Sequence, residues 1–438
     1  MLSFFFLLSQ SLNPIILVPP MYGSKLFATY DKDKADPDLA WYCPRRMQDE
    51  LFWVKPSLVI PPMINCLLQL LEMRIDPKTQ KIVSRPNTEV ITHDFGGESS
   101  VDYPDSGIFG FHWIETFASF FEYFKSKGYT TGKDIFAAPY DWRKGVFDLE
   151  DFWPQYRSLI KEASVKNDGK KVTLFAYSTG GYITQLFLSS NDQLNKECKE
   201  KYVASVIYLA PSFGGITVSY DSIFRHYNPL LPIIRNTYMT NMIIGLPVLY
   251  NHFPNHVIFN KTKIIIGPNG ESYGPSEMPQ LLLDHNKLFG DGPEFLRRSV
   301  EISKNAPRPG GVPTIFLYNS AIETFFNLDF SRGWDSTPKI SYVPGDGTIA
   351  AKGPQWACEN WVNWKDELYY TEEERKNLTS IENKVVHCID MKFKDVDHVG
   401  MAANNFIHQL AYNFTNNQEW FYFNEESDWE KIYQRKWD

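Results

Sequence analysis

The sequence predicts an α/β protein with a mostly parallel, doubly wound sheet. Short apolar runs rich in β-branched and aromatic residues alternate along the chain with segments whose apolar residues recur at helical spacing. The runs lie at residues 13–18, 134–139, 171–177, 203–209, 313–318 and 384–390. Strands that alternate with helices in this way form a parallel sheet with helices on both faces, and their side chains are then apolar on both sides.

Length and composition suit one α/β domain with insertions, because the chain has 438 residues, of which 43% are hydrophobic and 22% charged. The net charge of −8 argues against nucleic-acid binding. Aromatic residues make up 16% of the chain, which fits an apolar groove or a lipid interface, or else a large core.

The first residues form an apolar block, residues 2–8, followed by a small-x-small site at residues 9–11. The block is too short to span a bilayer, which takes about 20 residues. Residues 1–11 therefore predict a secretory signal, the alternative being a buried first strand. Five cysteines predict two disulfides and one free thiol in an oxidising compartment. Glycosylation sequons, which agree with secretion, begin at Asn260, Asn377 and Asn413.

Residues 38–76, which follow the first strand and its loop, are less regular. They contain Phe52, Trp53 and Val54 as an apolar cluster between prolines. If exposed, this cluster would be a lipid-contact patch; if buried, it would be a small satellite core. The residues alone leave both interpretations open.

Helices are predicted at residues 112–127, which end at Gly128, at residues 150–166 and at residues 400–413. Between about residues 218 and 280 the alternation of strands and helices is lost, and short apolar pieces are broken by proline. An insertion here would lie over the carboxyl edge of the sheet, where a lid is expected.

The strand at residues 171–177 ends at Ser178, and a helical pattern begins directly after it. A strand, a one-residue corner with a serine and a helix form the nucleophile elbow of the α/β-hydrolases. Here the corner reads Ala176-x-Ser178-x-Gly180. Small flanking residues let strand and helix approach closely, and the helix N-terminus offers free N–H groups to an oxyanion. The alternative is an ordinary turn with a capping serine.

A serine nucleophile needs a histidine to take its proton and a carboxylate to hold that histidine, in the chain order serine, acid, histidine. Asp346 lies in a glycine-bracketed turn after a strand, although Asp-Gly turns are common. His398 lies in a loop between the last strand and the last helix. An oxyanion donor is expected after the first strand, where Pro19 and Pro20 have no N–H and Met21 is the nearest donor.

Together these features resemble the lecithin–cholesterol acyltransferase family, which includes lysosomal phospholipases A that also transfer acyl groups. Besides the elbow, the resemblance is carried by Pro-Ile-Ile-Leu-Val-Pro at residues 14–19, Ala-Ala-Pro-Tyr-Asp-Trp-Arg at residues 137–143, Ala-Pro-x-x-Gly-Gly at residues 210–215, Gly-Asp-Gly-Thr at residues 345–348 and the terminal His398. It extends over about residues 13–413.

The resemblance implies an α/β-hydrolase fold with Ser178, Asp346 and His398 as the catalytic triad. It implies the N–H groups of Met21 and Thr179 as the oxyanion hole. No metal or other cofactor is expected, because the oxyanion hole supplies the electrophile.

The resemblance also implies that a Cys43–Cys66 disulfide closes a membrane-binding subdomain that presents Phe52 and Trp53. This subdomain would be an insertion at about residues 38–76.

A mobile apolar lid at roughly residues 220–250 would belong to a second insertion, the cap, at about residues 216–310. Residues 12–438 would then form one domain. Because the strand cysteine of the family's second disulfide is replaced here, Cys358 is expected to pair with Cys388.

The expected function is that of a serine phospholipase A or O-acyltransferase. Ser178 would attack an acyl ester of a glycerophospholipid, and His398 would protonate the departing lysophospholipid. The acyl-enzyme would pass its chain to water or to a lipid alcohol such as a sterol. The alternatives are a neutral-lipid or small-ester hydrolase and a lipid-binding protein without catalysis.

The expected partners are a phospholipid membrane or lipoprotein-like surface and a lipid acyl acceptor. The chain is expected to act as a monomer without nucleic acid. The expected location is secreted or in the lysosomal or vacuolar lumen.

Overall fold

A computed structural model describes residues 12–32, 39–107, 112, 114–225, 242–362, 364 and 386–417. The strands are β1 (Ile15–Val18), β2 (Leu26–Asp31), β3 (Arg46–Trp53), β4 (Met73–Ile75), β5 (Ile82–Ser84), β6 (Thr88–Ile91), β7 (Ile135–Ala137), β8 (Val172–Tyr177), β9 (Val203–Leu209), β10 (Ile265–Ile266), β11 (Ser272–Tyr273), β12 (Thr314–Tyr318), β13 (Ile322–Asp329), β14 (Lys339–Gly345) and β15 (Val386–Asp390). The helices are α1 (Ile64–Leu71), α2 (Ala118–Ser126), α3 (Phe152–Lys166), α4 (Thr179–Ser189), α5 (Lys196–Tyr202), α6 (Val218–Arg225), α7 (Pro247–Asn251), α8 (Met278–Asp284), α9 (Gly292–Ser303), α10 (Lys352–Trp361), α11 (His398–Ala402) and α12 (Asn405–Asn416). Among them, none is long and apolar enough to cross a bilayer.

Six strands form the central sheet in the order β15-β12-β9-β8-β1-β7. Every neighbouring pair in this sheet is parallel. The predicted α/β class with a mostly parallel sheet is therefore confirmed, and the arrangement is that of an α/β-hydrolase. Because β8 lies between β1 and β9, the loops that follow these three strands meet at one edge of the sheet.

The central strands are buried on both faces because two separate cores cover the sheet. In β8, Leu174 and Ala176 belong to the core that contains residues of α3 and α4. Phe175 and Tyr177 belong to the core that contains residues of α2 and α12. This two-sided burial explains why the strand reads as a continuous apolar run.

Two predicted helices differ from the structure. The helix predicted at residues 112–127 begins only at Ala118, because the N–H groups of Thr116 and Phe117 donate to carbonyls of the loop at residues 101–102. The last helix, predicted at residues 400–413, is two helices, α11 and α12. The side chain of Asn404 accepts from the N–H groups of Phe406 and Ile407 and so begins a new helix.

Smaller sheets surround the central one. Strands β3, β2 and β6 form a three-stranded sheet, and β4 pairs with β5. Strands β11, β10, β13 and β14 form a four-stranded sheet. The proposed signal at residues 1–11 and residues 226–241 of the proposed lid lie outside the described residues. The division into one domain with two insertions stays a prediction.

Strand β3 ends in the pair Phe52 and Trp53, whose side chains are only 0% and 1% exposed. The ring of Trp53 packs against Tyr22 and Trp142, and its indole N–H donates to the carbonyl of Tyr22 at 3.0 Å. The guanidinium of Arg143 lies over the ring of Phe52. The prediction that Phe52 and Trp53 form an exposed lipid-contact patch is therefore wrong, because both faces of the strand end are covered.

Candidate active site

The corner between β8 and α4 places Ser178 in an unusual backbone conformation, with φ 54° and ψ −118°. A positive φ is unfavourable for a serine and persists only where the surroundings hold it. The N–H of Ser178 donates to the carbonyl of Leu209 at the end of β9, and its carbonyl accepts from the N–H groups of Gly181 and Ser212. The corner is therefore fixed by both neighbouring elements.

The glycines after the serine allow the helix to press against the sheet. A Cβ atom on Gly180 would lie 2.4 Å from the carbonyl oxygen of Val18 and 2.5 Å from that of Pro19. A Cβ atom on Gly181 would lie 2.9 Å from the Cβ of Pro211. No larger residue fits at Gly180 without displacing backbone, which explains the small-residue pattern of the elbow.

The structure brings Ser178, Asp346 and His398 together in one hydrogen-bonded chain. His398 Nε2 lies 3.0 Å from Ser178 Oγ, and His398 Nδ1 lies 2.8 Å from Asp346 Oδ2. A carboxylate only accepts, so Nδ1 carries the proton and Nε2 is left to accept from the serine hydroxyl. All three side chains are buried, with Ser178 the most accessible at 8%.

Asp346 is held in place by its own turn. Its Oδ1 accepts from the N–H groups of Thr348 at 2.9 Å and Ile349 at 2.6 Å, which leaves Oδ2 for the imidazole. Its carbonyl accepts from the N–H of His398 at 2.7 Å. Asp346 follows a strand, as predicted, but this strand is β14 of the four-stranded sheet and not a strand of the central sheet.

His398 is the first residue of α11, and two hydrogen bonds fix this part of the backbone. The side chain of Asp397 caps the helix by accepting from the N–H of Gly400 at 2.9 Å. The hydroxyl of Tyr177 donates to the carbonyl of His398, and the two rings lie 5.2 Å apart. Burial raises the pKa of Tyr177 well above its ordinary value, so this hydroxyl stays protonated as a donor.

The two residues predicted for the oxyanion hole lie at the same edge of the sheet as the serine. Met21 is in the turn directly after β1, and Thr179 is the first residue of α4. The first N–H groups of a helix have no carbonyl partner within the helix, so that of Thr179 is available to a ligand. The role of these N–H groups stays a prediction.

The motif at residues 137–143 fixes the loop that contains Met21. The hydroxyl of Tyr140 donates to the carbonyl of Pro19 at 3.1 Å, and the indole N–H of Trp142 donates to the carbonyl of Ser24 at 3.1 Å. These bonds hold the loop on both sides of Met21. The motif therefore supports the elbow, because it holds in place the loop that is predicted to supply an oxyanion donor.

Arg143, the last residue of the same motif, connects the region of residues 38–76 to the central sheet. Its guanidinium is fully buried and makes a two-pronged contact with the carboxylate of Asp141 at 2.8 and 2.7 Å. It also donates to the carbonyl of Leu70 and to the hydroxyl of Ser84, both at 2.9 Å. One buried cation thus joins α1 and β5 to the loop after β7.

Two disulfides are present. One joins Cys43 to Cys66, and the other joins Cys358 of α10 to Cys388 of β15. Cys198 is a free, half-buried thiol. The first is the disulfide that the resemblance implied, and the second is the pairing expected where the sequence departs from the family pattern.

The glycosylation sites stay predictions. Asn260 is exposed. Asn413 is half-buried in α12, and Thr415 of its sequon is fully buried with its hydroxyl donating to the carbonyl of Ala411. Asn377 lies outside the described residues.

Sequence reasoning missed His252, which lies behind the elbow with Nε2 3.1 Å from the hydroxyl of Thr179 and 2.9 Å from that of Ser212. A lone histidine in an irregular segment gives no motif. The one signal near it is Gly215, where a Cβ atom would lie 2.6 Å from the carbonyl oxygen of Phe253.

Across the described residues, no group of three or more histidine, cysteine, aspartate or glutamate side chains is arranged to hold a metal ion.

Comparison with known proteins gives one family. Residues 49–274, more than half of the chain, match the family described as Lecithin:cholesterol acyltransferase. The chain is 25% identical over 355 residues to the bovine (Bos taurus) protein named lysosomal phospholipase A and acyltransferase, covering 80% of this chain and 83% of that protein. It is 26% identical over 378 residues to the human (Homo sapiens) protein of that name, with coverage of 82% and 84%.

A third relative is the chicken (Gallus gallus) protein named phosphatidylcholine-sterol acyltransferase, to which the chain is 24% identical over 376 residues, covering 84% of this chain and 86% of that protein. The family match contains the elbow, and the alignments with these relatives span most of each chain. The chain belongs to the lecithin:cholesterol acyltransferase family.

Proposed function

We propose that this protein is a serine-dependent phospholipase A or O-acyltransferase, which cleaves an acyl ester of a glycerophospholipid and transfers the acyl group. The single observation that carries the proposal is the buried hydrogen-bonded chain from Ser178 through His398 to Asp346. Membership of the family, and relatives named for phospholipase A and phosphatidylcholine-sterol acyltransferase activity, support the choice of substrate.

The first half-reaction forms an acyl-enzyme. His398 Nε2 takes the proton of the Ser178 hydroxyl as its oxygen attacks the ester carbonyl, and Asp346 stabilises the imidazolium that forms. The N–H groups of Met21 and Thr179 bind the oxyanion. His398 then gives its proton to the departing oxygen, the bond between the carbonyl carbon and that oxygen breaks, and a lysophospholipid leaves.

The second half-reaction uses the same groups in reverse. An acceptor hydroxyl, from water or from a lipid alcohol, gives its proton to His398 Nε2 as its oxygen attacks the acyl-enzyme. The tetrahedral intermediate collapses, Ser178 recovers its proton from the imidazolium, and the product is a free fatty acid or a new ester.

A lipid surface is the place of the reaction, and the side chains proposed to contact it are Trp41 and Ile60. These are 86% and 61% exposed, in contrast to the buried Phe52 and Trp53. The Cys43–Cys66 disulfide joins the segment that contains Trp41 to the segment that follows Ile60. A further link is the 2.7 Å bond from the side-chain amide of Asn65 to the hydroxyl of Tyr42. The region of residues 38–76 thus presents large apolar side chains to solvent on a rigid, cross-linked base.

The remaining parts of the proposal concern access and location. The region at about residues 216–310 is proposed to cap the site, with a lid at roughly residues 220–250. Two disulfides fit a chain that folds in an oxidising compartment, which supports a secreted location or a lysosomal or vacuolar lumen. A monomer is proposed to be the active form.

The test is the product analysis of Ser178→Ala beside the wild-type protein, with phospholipid liposomes offered with and without a sterol or ceramide. We expect the variant to lose at least about 10³-fold in rate and to keep its unfolding temperature. Ser190→Ala, at the other end of the same helix segment, is the matched control and should stay within about twofold of wild type.

Near-normal turnover by Ser178→Ala would refute the nucleophile and with it the proposal. Hydrolysis of triacylglycerol or small esters without hydrolysis of phospholipid would keep the triad but refute the substrate. A fatty acid as the main product with both liposomes would identify water as the acceptor, and a sterol ester or acylceramide would identify the alcohol.

A further inference from the structure

A buried histidine outside the triad lies directly behind the nucleophile elbow. His252 is fully buried, and its Nε2 lies within hydrogen-bond distance of two hydroxyl groups, Ser212 Oγ at 2.9 Å and Thr179 Oγ1 at 3.1 Å. Both of these partners are themselves at most 2% exposed. The imidazole therefore joins the first residue of α4 to the loop after β9.

The partners of His252 fix which nitrogen carries the proton. Nδ1 lies 2.7 Å from the carbonyl of Val248, which only accepts, so Nδ1 must donate. Burial lowers the pKa of His252 to about 4, so the ring is neutral. Nε2 is consequently an acceptor with one lone pair, which the hydroxyls of Thr179 and Ser212 share as donors.

The two residues that carry these hydroxyls adjoin one peptide group of the nucleophile, the one between Ser178 and Thr179. Thr179 follows Ser178 and contributes the N–H that is proposed to bind the oxyanion. The N–H of Ser212 donates to the carbonyl of Ser178 at 3.2 Å, which is the other half of the same peptide bond. The same carbonyl accepts from the N–H of Gly181 at 2.9 Å, so the residues that His252 holds orient the Ser178–Thr179 peptide and its N–H together with the first turn of α4.

His252 is itself rigidly placed. Its N–H donates to the carbonyl of Leu249, and its carbonyl accepts from the N–H of Ile216 at 2.7 Å. The approach of the chain is so close that a Cβ atom on Gly215, which has φ +93°, would lie 2.6 Å from the carbonyl oxygen of Phe253. The Gly-Gly end of the motif at residues 210–215 is thus what lets His252 reach the elbow.

We infer that His252 is a positioning residue that aligns the oxyanion-binding N–H of Thr179 through hydrogen bonds from the hydroxyls of Thr179 and Ser212. The inference rests on the proposed acyl-transfer function. It assigns to His252 no contact with substrate and no proton transfer. Its effect is on the transition state and not on the binding of the lipid.

The test compares His252→Phe, which keeps a ring but has no acceptor, with His252→Gln, whose amide oxygen replaces Nε2 as an acceptor. Rates are measured on a soluble short-chain ester. Each rate is divided by the concentration of active sites, which is determined by titration to completion with a fluorophosphonate. Removing an oxyanion donor lowers kcat by about 10²- to 10³-fold, so misaligning one should lower kcat by about 10- to 100-fold in His252→Phe. KM should change by less than about twofold, and His252→Gln should recover most of the loss.

A second variant approaches the same bonds from the other side, in case His252→Phe does not fold. Thr179→Val combined with Ser212→Ala removes both hydroxyls and leaves the ring, and it should lose kcat as His252→Phe does. Ser190→Ala, which removes a hydroxyl at the far end of the same helix and away from the site, is the matched control and should stay within about twofold of wild type.

Three results would overturn the inference: a kcat for His252→Phe within twofold of wild type, an equal loss in His252→Gln, or an undiminished kcat in Thr179→Val with Ser212→Ala. The first and third would remove any role of the bonds, and the second would attribute the loss to ring packing. Activity that survives in Ser178→Ala would instead refute the proposed function, so the two failures are distinguishable.

Discussion

Lipid contact through Trp41 and Ile60 can be separated from core packing through Phe52 and Trp53 by two double variants. Trp41→Ala with Ile60→Ala removes side chains that are 86% and 61% exposed, and these offer roughly 300 Å² of contact to a bilayer. At roughly 25 cal/mol per Å² this is about 7 kcal/mol. Because the side chains are only half immersed and lose conformational freedom, the net contribution to membrane binding falls to about 3 kcal/mol. The variant should therefore bind liposomes about 100-fold more weakly.

The matched variant, Phe52→Ala with Trp53→Ala, acts on folding instead. Each truncation of a buried aromatic residue destabilises by about 3–5 kcal/mol. With an unfolding entropy of roughly 2 cal/mol/K for each of 438 residues, a loss of about 6–10 kcal/mol for the pair should lower the unfolding temperature by about 7–11 °C. The surface variant should keep its unfolding temperature within about 1 °C.

The assay measures three quantities for each variant: co-sedimentation with neutral phosphatidylcholine liposomes, hydrolysis of a soluble short-chain ester, and the unfolding temperature. The surface variant should lose only the first. Binding should depend weakly on salt, because a chain with a net charge of −8 has no overall electrostatic attraction to a lipid surface. Full liposome binding by the Trp41 and Ile60 variant would refute the assignment of the contact surface.

Three further predictions concern the site and its supports. Asp346→Asn should lower kcat on the order of 10⁴-fold in the soluble-ester assay, because the wrong imidazole tautomer is then favoured; a loss of less than tenfold would contradict the triad. Arg143→Met should destabilise by about 3–5 kcal/mol in chemical denaturation, because the buried Asp141 carboxylate loses its cation, and an unchanged midpoint would contradict this. Burial lowers the pKa of His252 from 6.5 to about 4, so the folded state binds fewer protons than the unfolded state between these values. The stability that His252 contributes is complete above pH 6.5, and about 3 kcal/mol of it is lost as the pH falls to 4. His252→Gln should flatten this fall in unfolding free energy measured across that pH range, and an unchanged slope would contradict it.

Much of the central fold was predictable because its elements are defined locally. The strand β9, Val203–Leu209, has the predicted bounds, and β8 ends at Tyr177 directly before the corner serine. Two-sided burial gives such strands a continuous apolar sequence, and glycine or proline marks their ends. The order of serine, acid and histidine then selected Asp346 and His398, which the structure brings into hydrogen-bond contact.

The errors arise where distant parts of the chain decide the outcome. The residues alone left open whether Phe52 and Trp53 are exposed, and the resemblance favoured exposure. Tyr22, Trp142 and Arg143, which lie far away in sequence, cover them. The helix predicted from residue 112 starts later because backbone groups of residues 116–117 bond to a separate loop. His252 could not be found at all, because its partners are brought to it by packing alone.

Direct detection of an acyl ester on Ser178, formed from a phospholipid, is the sharpest test of the proposed mechanism. The wild-type protein is mixed briefly with phosphatidylcholine liposomes, quenched in acid, digested and analysed by mass spectrometry. We expect the mass of one fatty acyl group on the peptide that contains Ser178, formed with release of lysophospholipid and absent from Ser178→Ala. Turnover with the acyl group on another residue would contradict this mechanism. So would turnover without an acyl group on Ser178, under conditions where the acyl-enzyme forms faster than it breaks down.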